Sequence, residues 1–399
     1  MEEAAAAARP SKKPRGTAAS GLTAFAIRLA KHLADAAEGP LSIYAALALL
    51  SAGERGTTLD ELCAVVERAL ADRSESGAPL VAFACALWHE ETVALKPDYR
   101  AAAVQSYKAE THHADFFNKA KEAREEINQW VSKATKDLMT SILPPDSVDS
   151  NTALVLATAI YFKGRWSMPF ANKDTETRRF QRLDGSPVRT IFMDGQGNHA
   201  VAEYDGFKVL KLAYHPYRLP HWQDKYLGGR DRNAMQQDSE ERSRFSMCVF
   251  LPDDHDGLPS LVDEMASCPS FLWDHMLSKR VMVGELWLPK FKLSFSSRIN
   301  DILKAMGIKA AFGEGTADLS DMLEARAGIV LEHVFHKAVI EVNQLGTETA
   351  ASTACMVALK CCRYPVDFVA DHPFAFFVVE EVTGVVFFMA HILDPTKSA

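Results

Sequence analysis

Apolar residues near the N-terminus recur at intervals of three and four: Leu22, Ala26, Leu29, Ala30 and Leu33 share one helical face. Residues 40–52 predict a strongly apolar helix stopped by Gly53, and residues 58–70 predict another. Residues 122–143 predict a long amphipathic helix, with Ile127, Trp130, Val131, Ala134 and Leu138 on its apolar face and Pro144-Pro145 as its stop. The first half thus reads as helical. Beyond it come apolar runs at 152–162, 207–213, 245–251, 281–295 and 329–342, which predict strands. Period-two alternation is clearest where Phe291, Leu293 and Phe295 interleave with Lys292 and Ser294, and where Val334, His336, Ala338, Ile340 and Val342 share a face. Residues 373–380 and 384–393 flank Glu381-Val382-Thr383-Gly384 and predict an antiparallel hairpin.

The polar stretch 227–244 lies between two β runs, so it reads as a surface excursion rather than a linker, and no domain boundary is visible. The expected organisation is a disordered tail over 1–20 and a single mixed α/β domain over 21–399. Of the 399 residues 48% are hydrophobic and 24% charged, enough to bury a large core. A net charge of -8 argues against binding nucleic acid, whose phosphates favour basic surfaces; the short run Ser11-Lys12-Lys13-Pro14-Arg15 reads as a solvated tail. Neither a membrane span nor a secretory signal is visible, and no glycosylation sequon occurs. The expected location is the cytoplasm, or the extracellular space by unconventional export.

The seven cysteines show no CxxC pair and no histidine partners at zinc-like spacing, so neither a disulfide framework nor a metal site is expected, and no cofactor. Gly195-Gln196-Gly197-Asn198-His199-Ala200 fits a dinucleotide fingerprint, but strand-like sequence follows where a helix is required. His89-Glu90-Glu91 lacks the second histidine of a zinc protease, and His112-His113 are adjacent and would diverge. No nucleophile elbow or phosphate loop is present, so an enzyme has little support.

Between the strand ending at Val342 and the β-rich C-terminus lies a run of small residues, Gly346, Thr347, Glu348, Thr349, Ala350, Ala351, Ser352, Thr353, Ala354, Cys355, Met356, Val357 and Ala358. Read at period two, Thr347, Thr349, Ala351, Thr353, Cys355 and Val357 form one face. The run suits an ordinary loop and equally a strand roughly 40 Å long, whose small side chains lose little entropy on ordering.

Ile340-Glu341-Val342-Asn343 followed by Gly346-Thr347-Glu348 resembles the hinge of the serpin family. Asp367-Phe368-Val369-Ala370-Asp371-His372-Pro373-Phe374 is similar to that family's C-terminal signature in the wording of plant members, Z-type and LR-like. Ile160-Tyr161-Phe162-Lys163-Gly164-Arg165-Trp166 with Phe170, Tyr204-Asp205-Gly206-Phe207, and Leu288-Pro289-Lys290-Phe291 match in the same order, so the resemblance runs from about Gly21 to Pro395. It implies an α+β fold of three β-sheets with eight or nine helices and an exposed reactive-centre loop, about 344–366. It also implies an inhibitor that acts as a suicide substrate, whose loop is cut by a target protease and inserts into the main sheet. Counting along the loop as in plant serpins places the scissile bond between Lys360 and Cys361, with Leu359, Cys362 and Arg363 as neighbours and Arg363 as an alternative cut site. The implied partner is a trypsin-like serine protease or a basic-specific cysteine protease, and the inhibitor a monomer. The hinge is Gly346, Thr347, Glu348, Thr349, Ala350, Ala351, Ser352 and Thr353; the region that must open holds Ser42, Thr158, Trp166 and His336.

Several positions depart from the family pattern. Thr349 and Thr158 stand where relatives carry alanine and asparagine, Gln344-Leu345 replaces acidic residues, residues are missing before Gly39-Pro40-Leu41-Ser42, and Ala375 is smaller than its counterpart. His336, without its usual asparagine partner, reads as a core histidine. These departures keep open a non-inhibitory carrier, storage or binding serpin that is merely cleaved.

Overall fold

The computed structural model describes residues 26, 37–38, 79–107, 109–170, 175–215, 244–305, 309, 312–313, 317, 319–324, 329–344 and 365–397. The apolar run Leu154–Lys163 lacks regular polar interruptions because both its faces are covered; it is β4, the middle strand of a five-stranded sheet. That sheet runs β11 (Phe291–Arg298), β12 (His333–Val342), β4, β2 (Leu80–Glu90), β3 (Glu110–Ala114). A second path runs β1 (Ala37–Glu38), β15 (Val385–Ile392), β14 (Phe374–Glu380), β9 (Phe245–Pro252), β8 (Phe207–Ala213), β7 (Asn198–Tyr204), β10 (Val281–Pro289), β6 (Pro187–Asp194) and β5 (Thr175–Gln181), with β13 (Val366–Val369) beside β10. Strand β10 joins what would otherwise be two sheets: Val281 and Met282 pair with β7, while Trp287, Leu288 and Pro289 pair with β6. Hence the three expected sheets appear as one separate sheet and two that share a strand.

Alternation along the strands sorts side chains into three cores. Leu156, Ile160, Val334 and Ile340 of the five-stranded sheet face Val249, Leu251, Phe376 and Phe387 of the second. On the outer face of the second sheet, Phe250, Phe377 and Ala375 meet α3 (Leu258–Ser267) and α4 (Phe271–Asp274). On the outer face of the five-stranded sheet, Ala157, Ala159, Phe335 and Val339 pack under α2 (Phe116–Ala134). Helices α1 (Pro97–Tyr107) and α5 (Asn300–Ala305) complete the five helical segments among the described residues. The helices expected over 40–52 and 58–70, and the polar stretch up to 243, lie outside the described residues.

Three sequence expectations change. The first half is not only helical, since it contributes β2, whose alanine-rich run Leu80–Glu90 is buried on both faces and so carries no readable period. Helix α2 starts and stops earlier than 122–143. Asp115 caps it by accepting the Asn118 N–H at 2.9 Å, and Lys136 and Asp137 take left-handed φ of 52° and 60° directly after Thr135. The run 281–295 breaks at Lys290 into β10 and β11, which belong to different sheets. The C-terminal hairpin forms as expected, with Glu380 opposite Val385 and Gly384 at φ 75°.

Strand β13 is held to β10 by a contact that only glycine permits. The Asp367 carboxylate accepts the Glu285 N–H at 2.8 Å and occupies the space that a Cβ on Gly284 would fill. Gly284→Ala should therefore destabilise the protein by about 1–3 kcal/mol through overpacking. The urea unfolding midpoint checks this, and an unchanged midpoint would mean that Asp367 swings away freely.

Candidate functional site

Strands β4 and β12 lie side by side and parallel, from His333 opposite Val155 through Ile340 opposite Phe162. A parallel pair with no strand between them is unusual here, because β12 also pairs antiparallel with β11 and β4 with β2. Two antiparallel pairs therefore meet at this parallel seam, while the sheet's other parallel ladder, β2 with β3, lies at its edge. Parallel ladders are slightly weaker per residue, so the seam is a weak line inside the sheet.

In mid-seam, Thr158 stands opposite His336, both fully buried on the face toward the second sheet. The Thr158 hydroxyl lies 3.0 Å from His336 Nδ1 and hydrogen-bonds to it. His336 thus has a side-chain partner across the seam after all: a hydroxyl serves where an asparagine was thought necessary. Burial drives the imidazole pKa down to about 3, so the ring stays neutral at ordinary pH.

The other face of the seam is covered. Small residues Ala157 and Ala159 let α2 approach through Ile127 and Val131, and Met139, Ile142 and Leu143 continue the cover. Asn128 fixes this return segment, accepting the N–H groups of Ile142 and Leu143 at 2.8 and 2.9 Å and donating to the Leu143 carbonyl. From β12, the Lys337 ammonium donates to the Ser141 carbonyl at 2.6 Å, and burial lowers its pKa.

At the upper end of the seam, β12 gives way to Asn343 and Gln344. Trp166 Nε1 donates to the Asn343 carbonyl at 2.8 Å, and the Phe170 N–H donates to the Gln344 carbonyl at 2.8 Å. The Trp166 ring stacks on Tyr214, centroids 4.4 Å apart, and Gly164 is needed because a Cβ there would overlap the Tyr214 ring. Since Gln344 is held through its backbone, its departure from an acidic residue leaves this contact intact. Sequence reading did not find Tyr214, Asn128 or the Lys337–Ser141 bond; each depends on a partner that no periodicity places beside it.

The chain is next described at Pro365, where it enters β13 alongside β10 of the second sheet. The intervening segment therefore starts at the top of the seam and ends on a different sheet. Gly346 to Thr353, Leu359, Lys360, Cys361, Cys362 and Arg363 lie outside the described residues, as does Ser42. Cys85 and Cys248 are free and buried, and burial raises both thiols to about 12, leaving them unreactive. No helix among the described residues is long and apolar enough to cross a membrane.

A main sheet with a parallel seam between two antiparallel pairs, and a chain that leaves its top and is next described on a second sheet, define the class of protein, and comparison with known proteins gives the same class. The model of the serpin family, described as serine protease inhibitor, matches residues 20–395. The chain belongs to the serpin family. Its relatives include the rice proteins Serpin-Z2A, 50% identical over 95% of this chain and 98% of that protein, and Serpin-Z2B, 49% identical over 94% and 97%. The native stressed conformation of Arabidopsis AtSerpin1 superposes with a TM-score of 0.80 at 34% identity, covering 95% of this chain and 98% of that one. Uncleaved ovalbumin shares the fold, with a TM-score of 0.71 at 23% identity over 95% and 100%. The chain is thus a plant-type serpin, of a family made up mostly of protease inhibitors rather than enzymes and acting on target proteases.

Two outcomes follow from the seam. Thr158→Val, which removes the hydroxyl and leaves His336 Nδ1 buried without this bond, should cost about 1–3 kcal/mol in unfolding experiments. Because the native pKa of His336 lies below its ordinary 6.5, its contribution to stability is complete above pH 6.5 and is lost as pH falls toward about 3. A His336→Phe variant should flatten that part of the stability–pH curve, and an unchanged curve would show that another group carries it.

Proposed function

We propose that this serpin is a suicide-substrate inhibitor of trypsin-like serine proteases or basic-specific cysteine proteases, with Lys360-Cys361 as the reactive bond. The observation that carries the reading is the bare parallel seam between β4 and β12, with the small-residue segment attached at its upper end. A chain that leaves β12 and folds back must run antiparallel to β12, and hence to β4 as well. Inserted there, residues 346–358 would replace one parallel ladder by two antiparallel ones. Thirteen extended residues span roughly 40 Å, longer than the ten residues of β12.

The chemistry belongs to the protease. Its nucleophile attacks the Lys360 carbonyl, the Cys361 amine departs, and an acyl-enzyme forms. A specificity pocket with a carboxylate suits the lysine ammonium, which needs a charged partner once desolvated. Release of the loop from β13 frees residues 346–358 to enter the seam and to carry the attached protease along. Distortion of the protease oxyanion hole would then halt deacylation. Entry must break the Thr158–His336 bond and displace the Lys337–Ser141 bond, so these contacts set part of the barrier.

Thr349 favours a second reading, a serpin cleaved as an ordinary substrate. Its β-branched, hydroxylated side chain sits on a period-two face otherwise rich in small residues, and burying the hydroxyl without a partner slows entry. Inhibition is then a race between insertion and deacylation.

Incubation with trypsin followed by denaturing electrophoresis tests both readings. Expected is a complex at the summed mass that survives boiling, lost in Lys360→Ala, with part of the protein clipped and released. Thr349→Ala should shift the partition toward complex. Complete clipping beside fully active trypsin, in both the parent and Thr349→Ala, would reject inhibition of that protease class.

A further inference from the structure

His372 is buried where the chain passes from β13 to β14, and both its ring nitrogens face oxygen atoms. Nε2 lies 2.8 Å from the Pro252 carbonyl, which can only accept, so Nε2 carries a hydrogen and donates it. Nδ1 lies 2.9 Å from Oδ1 of Asp371, another acceptor when the carboxyl is ionised. Two acceptors cannot face each other at that distance unaided, so a proton, on the ring or on the carboxyl, or a metal ion lies between them. His255, in the turn between β9 and α3, meets His372 edge to face with centroids 4.6 Å apart. One ligand atom from each of His255, Asp371 and His372 lies within 4.8 Å of the other two.

We propose that His255, Asp371 and His372 form a binding site for a divalent transition-metal ion of the zinc type. Two imidazoles and a carboxylate are the donor set such ions take, with bonds of about 2.0–2.2 Å in a roughly tetrahedral arrangement. That geometry puts neighbouring ligand atoms about 3.3 Å apart, so Nδ1 of His372 and Oδ1 of Asp371, now 2.9 Å apart, must part slightly while His255 adjusts toward them. Exposed His255 is free to supply most of that movement. The other two ligands are already braced. The Pro252 carbonyl fixes the His372 ring with Nδ1 presented, which is the outer-shell bond that metal-binding histidines usually make. Asp371 is tied through its backbone, its carbonyl accepting the Gln181 N–H at 2.7 Å and its N–H bonding the Val369 carbonyl at 3.0 Å. Exposed Asp253, Asp254 and Asp256 surround His255 in the same turn and favour a cation. A water would complete the coordination on the exposed side.

No spacing pattern reveals the site, because His255 and His372 come together only when β14 pairs with β9, Ala375 opposite Phe250. Asp371 and His372 directly follow β13, the strand that receives the far end of the loop segment. A bound ion would fasten that anchor to the end of β9.

The test uses the full chain, stripped of metal by chelation and with exposed thiols alkylated so that cysteines do not compete. Zn²⁺ binding is followed by calorimetry and thermal unfolding, and Co²⁺ binding by visible absorption. Expected are one saturable site per chain, a Co²⁺ spectrum without thiolate charge transfer, and a higher melting temperature with Zn²⁺. His255→Ala removes an exposed side chain and Asp371→Asn keeps the shape of the original; each should weaken binding at least about tenfold, as loss of even an outer-shell partner commonly does. Absence of saturable binding, or binding unchanged in either variant, would overturn the proposal and assign the cation beside His372 to a proton.

Discussion

The parallel pairing of β4 with β12 is the constraint on which the rest of this structure depends. Every other neighbour of these two strands in the sheet is antiparallel, so the seam is the one place where a strand attached to β12 can enter with antiparallel partners on both sides. The surroundings of the seam answer this weakness. On the inner face Thr158 bridges to His336, and on the outer face α2 and its return segment lie across it, held by Asn128 and by Lys337. Side chains along the seam are small where the cover must come close, as at Ala157 and Ala159, and large where two sheets must be filled, as at Ile160 and Phe162. On the proposed mechanism a contact that keeps the seam shut would stabilise the uncleaved state and also resist insertion, so its strength would have to be moderate. A neutral hydroxyl–imidazole bond, worth about 1 kcal/mol net, fits that requirement better than a buried ion pair, whose rupture strands charge in the core.

Strands with one polar face could be read directly from the chain, β11 and β12 being the clearest, because alternation survives wherever burial is one-sided. The hairpin of β14 and β15 was equally visible from Gly384. β2 was not, because its alanines and cysteine are buried on both faces and mimic a helical composition. Helix α2 was displaced by features that periodicity does not carry: a capping aspartate upstream, and two residues with positive φ downstream that end the helix well before the prolines. The break at Lys290 was hidden for a similar reason. β10 and β11 are both strands, and only their partners distinguish them.

For the site, Thr158, Trp166 and His336 could be picked out by resemblance, but their contacts could not, since Thr158–His336 and Trp166–Asn343 span more than a hundred residues and Trp166–Tyr214 forty-eight. The reading of His336 as lacking a partner treated a substitution as a deletion. Threonine has fewer polar atoms than asparagine, yet one hydroxyl suffices when the register puts it opposite the ring. Chain separation also hid His255 and Asp371 from each other, which is why spacing rules built for local metal motifs passed over them.

The two ends of the loop segment are anchored in different ways, and the difference gives cleavage a direction. On the near side, the Asn343 and Gln344 carbonyls accept from Trp166 Nε1 and the Phe170 N–H, and the Asn343 side chain donates to Glu341, at the end of a strand whose partners are already in place. On the far side, β13 is paired with β10, locked by Asp367 against Gly284, and followed by the buried His372. On the proposed mechanism a cut between them would leave the far fragment attached to the second sheet and free the near one beside the seam. The near-side carbonyl bonds to Trp166 and Phe170 could then be exchanged one at a time as a strand advances. The far end would serve as the fixed point, and the motion that insertion requires would be confined to the end next to the parallel ladder of β4 and β12.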